Sequence, residues 1–269
     1  MHMSYGMFGR LAGVVACMAM LVSASGCMPD ASAPANRPTS GDETDMPLGG
    51  ASRTGSSGEF GTVTAGTDTY RGFVLDNVLH SPDDGDIHFN LYVPDSYDGS
   101  RPVALFLTLP GYQGLYFQGV GENLYTEDFG FEAQRYNDRM IIAAPQLSDW
   151  GETMSRVMGM RPDLFSAYLH CSSQWDGDIA TLAESETPVY LVVGQDDEYY
   201  GSEPSETAYD RIRDQYKDRG LSERRINELV TLDVKDAAYF ANQGITNQHG
   251  GGGTLFSHDP DIMGWLFNR

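Results

Sequence analysis

Continuous apolar runs recur between Val103 and Val234 and are the clearest structural signal in the sequence. They are "VALFLTL", "MIIAAPQ", "VYLVVG" and "LVTLDV"; the apolar alternation in "AYLHC" predicts a further buried strand. Runs of this length without alternation are typical of strands buried on both faces, as in a parallel sheet. The segment between "VYLVVG" and "LVTLDV" predicts a helix that ends at Gly220 and carries three apolar residues on one face: Tyr209, Ile212 and Tyr216. The pattern therefore predicts an α/β fold with a mostly parallel sheet and helices on both faces.

Two β-rich runs, "YRGFVLDNVLH" and "DIHFNLYVP", precede these strands and are separated by the turn signal "SPDDGD". Short β-rich segments around such a turn predict an antiparallel hairpin. Asp83, Asp84 and Asp86 in the turn are interpreted as solvated residues, because no further ligand completes a calcium loop. We predict no metal site and no cofactor.

The N-terminal quarter lacks this pattern. Leu11–Val22 is an apolar stretch behind Arg10, and the small residues of "SASGC" resemble the lipobox of bacterial lipoproteins, which implies lipid attachment at Cys27. An ordinary secretory signal with an incidental Cys27 is the alternative. The expected organisation is a lipoprotein signal peptide over 1–26, a flexible Pro/Ser/Gly-rich tether over 27–68 and one folded domain over 69–269. The protein is thus expected outside the cytoplasm, anchored to a membrane by lipid.

Charge and cysteine content narrow the function further. The chain has 38 acidic and 17 basic residues, a formal net charge of −21, which repels nucleic acid and excludes it as a partner. Of the three cysteines, Cys17 lies in the predicted leader and Cys27 is the predicted lipid site, which leaves Cys171. We therefore expect no intramolecular disulfide, and the hydrophobic core must hold the domain together.

Polar residues follow three of the predicted elements, where ligands bind in α/β sheets. "LTLPGYQG" offers backbone N–H groups in a turn, "GQDDE" places Asp196 and Asp197 after a buried strand, and His249 lies in "NQHGGGG", which we expect to be a loop. A carboxylate that orients a histidine, with N–H groups for a developing oxyanion, is the machinery of acyl transfer.

The order of these segments resembles the α/β-hydrolase superfamily, in particular esterases and peptidases of the prolyl oligopeptidase and polyhydroxybutyrate depolymerase type. The resemblance covers about Tyr70 to Arg269 and implies hydrolysis of a small ester or peptide substrate. It assigns the catalytic acid to Asp197, with Asp196 second, and the catalytic base to His249, with His258 as the rival. It assigns the oxyanion-binding backbone N–H to Tyr112 or Gln113.

The nucleophile of that family is missing, because the chain contains no GxSxG motif. Leu147 to Asp163 spans 163 − 147 + 1 = 17 residues, whereas a nucleophile strand with two crossovers needs about 30. We therefore expect the sheet to lack its central nucleophile strand. Ser155 is predicted to lie in a helix with its hydroxyl bonded to backbone, and the remaining candidates are the residues that follow a predicted strand: Cys171, Ser172 and Ser173.

Two functions stay open at this point. The first is a serine-hydrolase-family esterase or peptidase whose serine segment is absent from the chain, so that its activity is doubtful. The second is a non-catalytic lipoprotein that captures ligands on a hydrolase scaffold. An unstable deletion product is a third, structural, possibility.

Overall fold

A computed structural model describes residues 19–23, 61–82, 84–147 and 153–269 of the chain. The predicted lipid site at Cys27, Asp83 and most of the predicted leader and tether lie outside the described residues. The described part contains one large sheet with helices on both of its faces.

The sheet has ten strands, and its order from edge to edge is β10-β9-β8-β1-β6-β7-β5-β4-β2, with β3 paired to β4. The strands β10, β9, β8, β1, β6 and β7 are mutually parallel. The strands are β1 Ala19–Ser23, β2 Thr62–Thr64, β3 Thr69–Tyr70, β4 Phe73–Ser81, β5 Gly85–Tyr92, β6 Leu105–Leu109, β7 Ile141–Gln146, β8 Phe165–Cys171, β9 Val189–Gly194 and β10 Val230–Lys235.

The predicted hairpin is confirmed. β4 and β5 pair antiparallel from Ser81 opposite Gly85 to Val74 opposite Leu91, and β5 then pairs antiparallel with β7. This joins the antiparallel edge to the parallel part of the sheet, so that the chain builds one sheet and not two.

The centre of the sheet differs from the expectation. Its position between β6 and β8, which we expected to be vacant, is occupied by β1: Ser23 lies opposite Leu109 on one side and His170 on the other. The residues of β1 belong to the apolar stretch that was interpreted as a leader. A leader core and a buried strand are both uninterrupted apolar runs, and periodicity does not separate them.

Two groups of helices cover the two faces of the sheet. One face packs on Phe129, Phe240, Phe256 and Ile262 from α2, α7, α8 and α9, and the other on Met158, Leu182, Ile212 and Ile226 from α3, α4, α5 and α6. The helices are α1 Glu122–Tyr125, α2 Phe129–Tyr136, α3 Thr153–Met160, α4 Ile179–Ser185, α5 Glu203–Asp218, α6 Glu223–Leu229, α7 Ala237–Ala241, α8 Gln248–His258 and α9 Pro260–Phe267. Within the described ranges, no helix combines the length and apolarity needed to cross a membrane.

The segment between β7 and β8 contains no strand among its described residues, which are α3 and a 3₁₀ turn at Pro162–Leu164. Ser155 lies in α3, and its Oγ accepts a hydrogen bond of 3.0 Å from the backbone N–H of Asp176, as predicted.

Candidate active site

The carboxyl end of β9 and the start of α8 bring an aspartate and a histidine together. His249 Nδ1 lies 2.9 Å from Asp197 Oδ2 and 3.1 Å from Oδ1, and both side chains are almost fully buried. Because an ionised carboxylate only accepts hydrogen bonds, Nδ1 carries the proton of the neutral ring, and Nε2 is left as its acceptor. This is the arrangement of an acid that orients a general base.

The Asp197 carboxylate is held by the backbone that follows it. Its Oδ1 accepts hydrogen bonds from the N–H groups of Tyr199 and Tyr200 at 3.0 and 2.8 Å. Burial acts to raise the pKa of Asp197, but the hydrogen bonds from His249 and from the two N–H groups outweigh it, so that the pKa lies below its usual value. Asp197 is therefore ionised and fixed in place beside the imidazole.

His249 lies in the first turn of α8, and the expectation of a loop at this position was wrong. The Glu198 carboxylate accepts hydrogen bonds from the N–H groups of Gln248 and His249 at 3.1 and 3.0 Å, and the Asn247 side chain caps Gly250. A carboxylate satisfies the free N–H groups of a helix start and favours its dipole. These caps let the glycine-rich segment begin a helix at Gln248, directly before the histidine.

Asp196, the second choice for the acid, has a different role in the structure. Its N–H donates to Gln248 Oε1 at 2.9 Å, and its exposed carboxylate lies 3.5 Å from Gln248 Nε2. Gln248 packs so closely on Gly194 that a Cβ there would lie 2.5 Å from its Oε1. The end of β9 and the start of α8 are thus locked in register, which brings His249 to Asp197 and not to Asp196.

His258, the rival base, lies nine residues further along the chain at the other end of α8. Its Nε2 is 3.0 Å from Asp128 Oδ2 and its Nδ1 is 3.5 Å from Glu132 Oε1, and the side chain is 44% exposed. It forms a surface ion pair with the start of α2. The structure does not bring it to Asp197.

The predicted oxyanion loop follows β6 and forms a 3₁₀ turn over Tyr112–Gly114 that has no side-chain cap. The Gly111 N–H just before the turn donates to Glu127 Oε1 at 3.0 Å. Tyr112 is partly exposed, and its ring packs edge-on against Phe117. The backbone at Tyr112 and Gln113 therefore lies at the carboxyl end of β6, on the same edge of the sheet as Asp197 and His249.

Three buried amide side chains fix this loop, and the sequence analysis did not identify them. Gln146, at the end of β7, donates from Nε2 to the carbonyls of Gly114 and Gly119 and accepts at Oε1 from the N–H of Gly121. Asn123 donates to the carbonyl of Ala144 and accepts from Asn90. Single amides in two strands and a short helix carry no sequence signal for such a network; it becomes visible only when β5, β7 and α1 lie side by side.

Glu127 is the other residue that the sequence analysis missed. It is 6% exposed, and burial raises its pKa to about 8, against a smaller lowering by the Gly111 hydrogen bond. A carboxyl group of this pKa is mostly protonated at neutral pH. Its charged form also raises the pKa of the Cys171 thiol, which burial already raises strongly. The thiol is thus a poor nucleophile.

The end of β8 carries the remaining candidates. His170 Nε2 donates to the Ser173 carbonyl at 3.0 Å, and its Nδ1 lies 2.7 Å from the Tyr168 hydroxyl. Burial lowers the pKa of His170 to about 4, despite opposing contributions from the Ser173 carbonyl and Asp176. A neutral His170 thus fixes the turn through Ser172 and Ser173, and Ser172 has a left-handed backbone with φ of 41°.

Within the described ranges, no three His, Cys, Asp or Glu side chains converge on a point that would suit a metal ion.

Comparisons with known proteins bear on the fold. No protein-family model and no curated protein matches the chain. Among solved structures, a thermostable esterase is similar over 73% of this chain and 63% of its own length, with a TM-score of 0.53 and 15% identity. Oligopeptidase B from Leishmania major is similar over 73% of this chain and 36% of its own, with a TM-score of 0.41 and 12% identity. The likeness to the esterase shows the α/β-hydrolase fold; this chain spans less than two thirds of that enzyme.

Proposed function

We propose that this protein is a hydrolase of ester or peptide bonds that works by acyl transfer. The observation that carries the proposal is the buried contact between His249 Nδ1 and Asp197 Oδ2 at 2.9 Å. A hydrolase-like scaffold with an oriented imidazole at the carboxyl edge of its sheet is suited to taking a proton from a hydroxyl nucleophile and returning it to a leaving group.

The two residues have distinct parts in this reaction. His249 Nε2 accepts the proton of the attacking hydroxyl and then protonates the leaving alcohol or amine. Asp197 holds the ring in the Nδ1–H form and stabilises the imidazolium that forms in between. Backbone N–H groups at Tyr112 and Gln113 stabilise the negative charge on the carbonyl oxygen in the transition state.

Location outside the cytoplasm and a lipid anchor at Cys27 are a separate proposal, supported by the sequence of residues 1–27. A cleaved, lipidated chain could not contain β1, because cleavage before Cys27 removes Ala19–Ser23 from the sheet. The mass of the N-terminal peptide of the protein purified from its native host distinguishes a lipidated chain from an uncleaved one.

Turnover of p-nitrophenyl esters and of peptide p-nitroanilides by the full 269-residue chain tests the hydrolase function. We expect His249→Ala to lower kcat/KM by at least about a thousandfold, because the general base is lost. The matched control is His258→Ala, which removes a histidine of the same helix that pairs with Asp128 instead. Equal activity of the two variants, or no turnover by the unaltered chain, would count against the proposal.

A second function, capture of an ester-like or peptide-like ligand without turnover, is favoured by the absence of GxSxG. It predicts that a substrate analogue raises the melting temperature while no product forms. His249→Ala would then weaken that stabilisation without any change in product formation.

A further inference from the structure

Ser172 has a backbone conformation that serine rarely adopts. It follows the last residue of β8, its N–H donates to the Val192 carbonyl of β9 at 2.8 Å, and its φ is 41°. A non-glycine residue in the left-handed region is strained, and such strain is characteristic of functional sites held by their surroundings. The surroundings here are the β9 hydrogen bond and His170, which holds the next carbonyl.

The hydroxyl group of Ser172 is buried without a partner. The residue is 1% exposed, and its Oγ has no hydrogen bond within the part of the chain that the structure describes. A buried polar atom without a partner costs free energy, and alanine at this position would avoid that cost. The hydroxyl is therefore better explained by chemistry than by packing.

Helix α8 covers this hydroxyl with the face that carries the histidine. A Cβ built at Gly252 would lie 3.4 Å from Ser172 Oγ, which is van der Waals contact and places this position of α8 directly beside the hydroxyl. Residues three apart are neighbours on a helix surface, which places His249 one turn from Gly252 on the same face. Because Asp197 occupies Nδ1, the free Nε2 is the ring atom available to Ser172.

The oxyanion loop reaches the same end of β8. Glu127 accepts the Gly111 N–H of that loop and lies near Cys171, the neighbour of Ser172, where its ionised form adds to the burial that raises the pKa of the Cys171 thiol. The end of β1 lies between the two strands, with Ser23 opposite Leu109 and His170. Acid, base, oxyanion loop and Ser172 therefore lie at the carboxyl edge of four adjacent parallel strands, β9, β8, β1 and β6.

We propose that Ser172 is the catalytic nucleophile, supplied by the strand beside the central one; this rests on the hydrolase function proposed above. Ser172 Oγ attacks the ester carbonyl carbon while its proton passes to His249 Nε2. The carbon–oxygen bond to the leaving alcohol breaks, and the alcohol takes that proton. Water then attacks the acyl carbon while His249 Nε2 takes one of its protons, the carbon–oxygen bond to Ser172 breaks, the carboxylic acid product departs, and that proton passes to Ser172 Oγ. Since the hydroxyl is covered, α8 must shift for an acyl group to reach it.

The test measures ester turnover and labelling by a fluorophosphonate in the full-length chain, with mass-spectrometric identification of the labelled residue. We expect Ser172→Ala to lower kcat/KM by at least about a thousandfold, with a melting temperature equal to or above that of the unaltered chain. Ser172→Gly, which suits the left-handed backbone, gives the same loss if the alanine variant folds poorly. Ser173→Ala is the matched control and keeps turnover.

The outcomes separate the two proposals. Loss of turnover in the Ser172 variants, with the label on Ser172 in the unaltered chain, supports the assignment. Turnover that is lost with His249→Ala but kept with Ser172→Ala overturns the assignment and leaves the hydrolase function standing. A label that maps to another serine likewise overturns the assignment of Ser172 and leaves the hydrolase function standing. No turnover and no label in the unaltered chain overturns both.

Discussion

Asp197 and His249 lie 52 positions apart in the chain, and their side chains meet at 2.9 Å in a buried contact between the end of β9 and the start of α8. Three sets of contacts hold the pair in place. Two backbone N–H groups donate to the Asp197 carboxylate, Glu198 caps the start of α8, and Gln248 packs on Gly194. A contact held from both sides is pre-organised for orienting a base.

Asp197→Asn is expected to lower kcat on the order of 10⁴-fold, because an amide at this position favours the wrong histidine tautomer. The measurement is steady-state ester hydrolysis, with circular dichroism to check the fold. Asp196→Asn is the matched control, since the carboxylate of Asp196 is next in the chain but is exposed and contacts Gln248 instead of His249. A loss of equal size in both variants would contradict the role of Asp197.

Glu127 is expected to make stability depend on pH. In the unfolded chain its carboxyl releases a proton near its ordinary pKa of 4.5, whereas the folded chain keeps that proton up to about pH 8. The unfolded state therefore binds fewer protons in that window, and the free energy of unfolding falls as pH rises through it, by roughly 1 kcal/mol per pH unit.

Glu127→Gln removes this titration and keeps an acceptor for the Gly111 N–H. We expect urea unfolding to show that the free energy of unfolding of the glutamine variant, relative to that of the unaltered chain, rises from pH 5 to about pH 8. Between pH 8 and pH 9 the difference between the two proteins is expected to stay constant. Glu184→Gln, at a mostly exposed carboxylate, is the control and is expected to run parallel throughout. A constant difference for Glu127→Gln over the whole range would mean that Glu127 titrates normally.

Gln146→Ala is expected to lower the free energy of unfolding by roughly 2–3 kcal/mol, because the Gly114 and Gly119 carbonyls and the Gly121 N–H lose their partner. It should also lower kcat through the displaced oxyanion loop. Chemical denaturation and ester turnover measure the two effects. Gln118→Ala is the control, because Gln118 is an exposed glutamine of the same loop. Equal free energies of unfolding for Gln146→Ala and Gln118→Ala would refute the role of the network.

Truncation tests the strand β1. Residues 19–269 are expected to unfold cooperatively, whereas residues 28–269 lack the strand between β6 and β8 and are expected to give a broad transition. Leu21→Pro in the full chain is a finer probe, because proline removes a backbone donor from a strand that is paired on both sides. A sharp melt of residues 28–269 at the temperature of the full chain would show that the fold does not need β1.

The elements that sequence patterns predicted are those whose signal is local. β6, β7, β9 and β10 coincide with uninterrupted apolar runs, and α5 follows the spacing of Tyr209, Ile212 and Tyr216. The order of motifs along the chain was enough to pair Asp197 with His249, which the structure brings together.

The features that the sequence did not reveal depend on long-range contacts. β1 is identified by its partners, Leu109 and His170, and not by its own composition. The start of α8 at Gln248 and His249 depends on Glu198, 51 residues before the histidine, because four glycines alone are poor helix formers. The raised pKa of Glu127 follows from its burial, which the residues next to it in the sequence do not predict.

The position of β1 has a consequence for how the chain folds as it is made. Ser23 leaves the ribosome first, but Leu109 follows 109 − 23 = 86 residues later and His170 follows 170 − 23 = 147 residues later. At about 5–20 residues per second, the central strand waits on the order of ten seconds for both neighbours. The export proposed above for residues 1–27 would use the same five residues during that interval, before either neighbouring strand is available to pair with them.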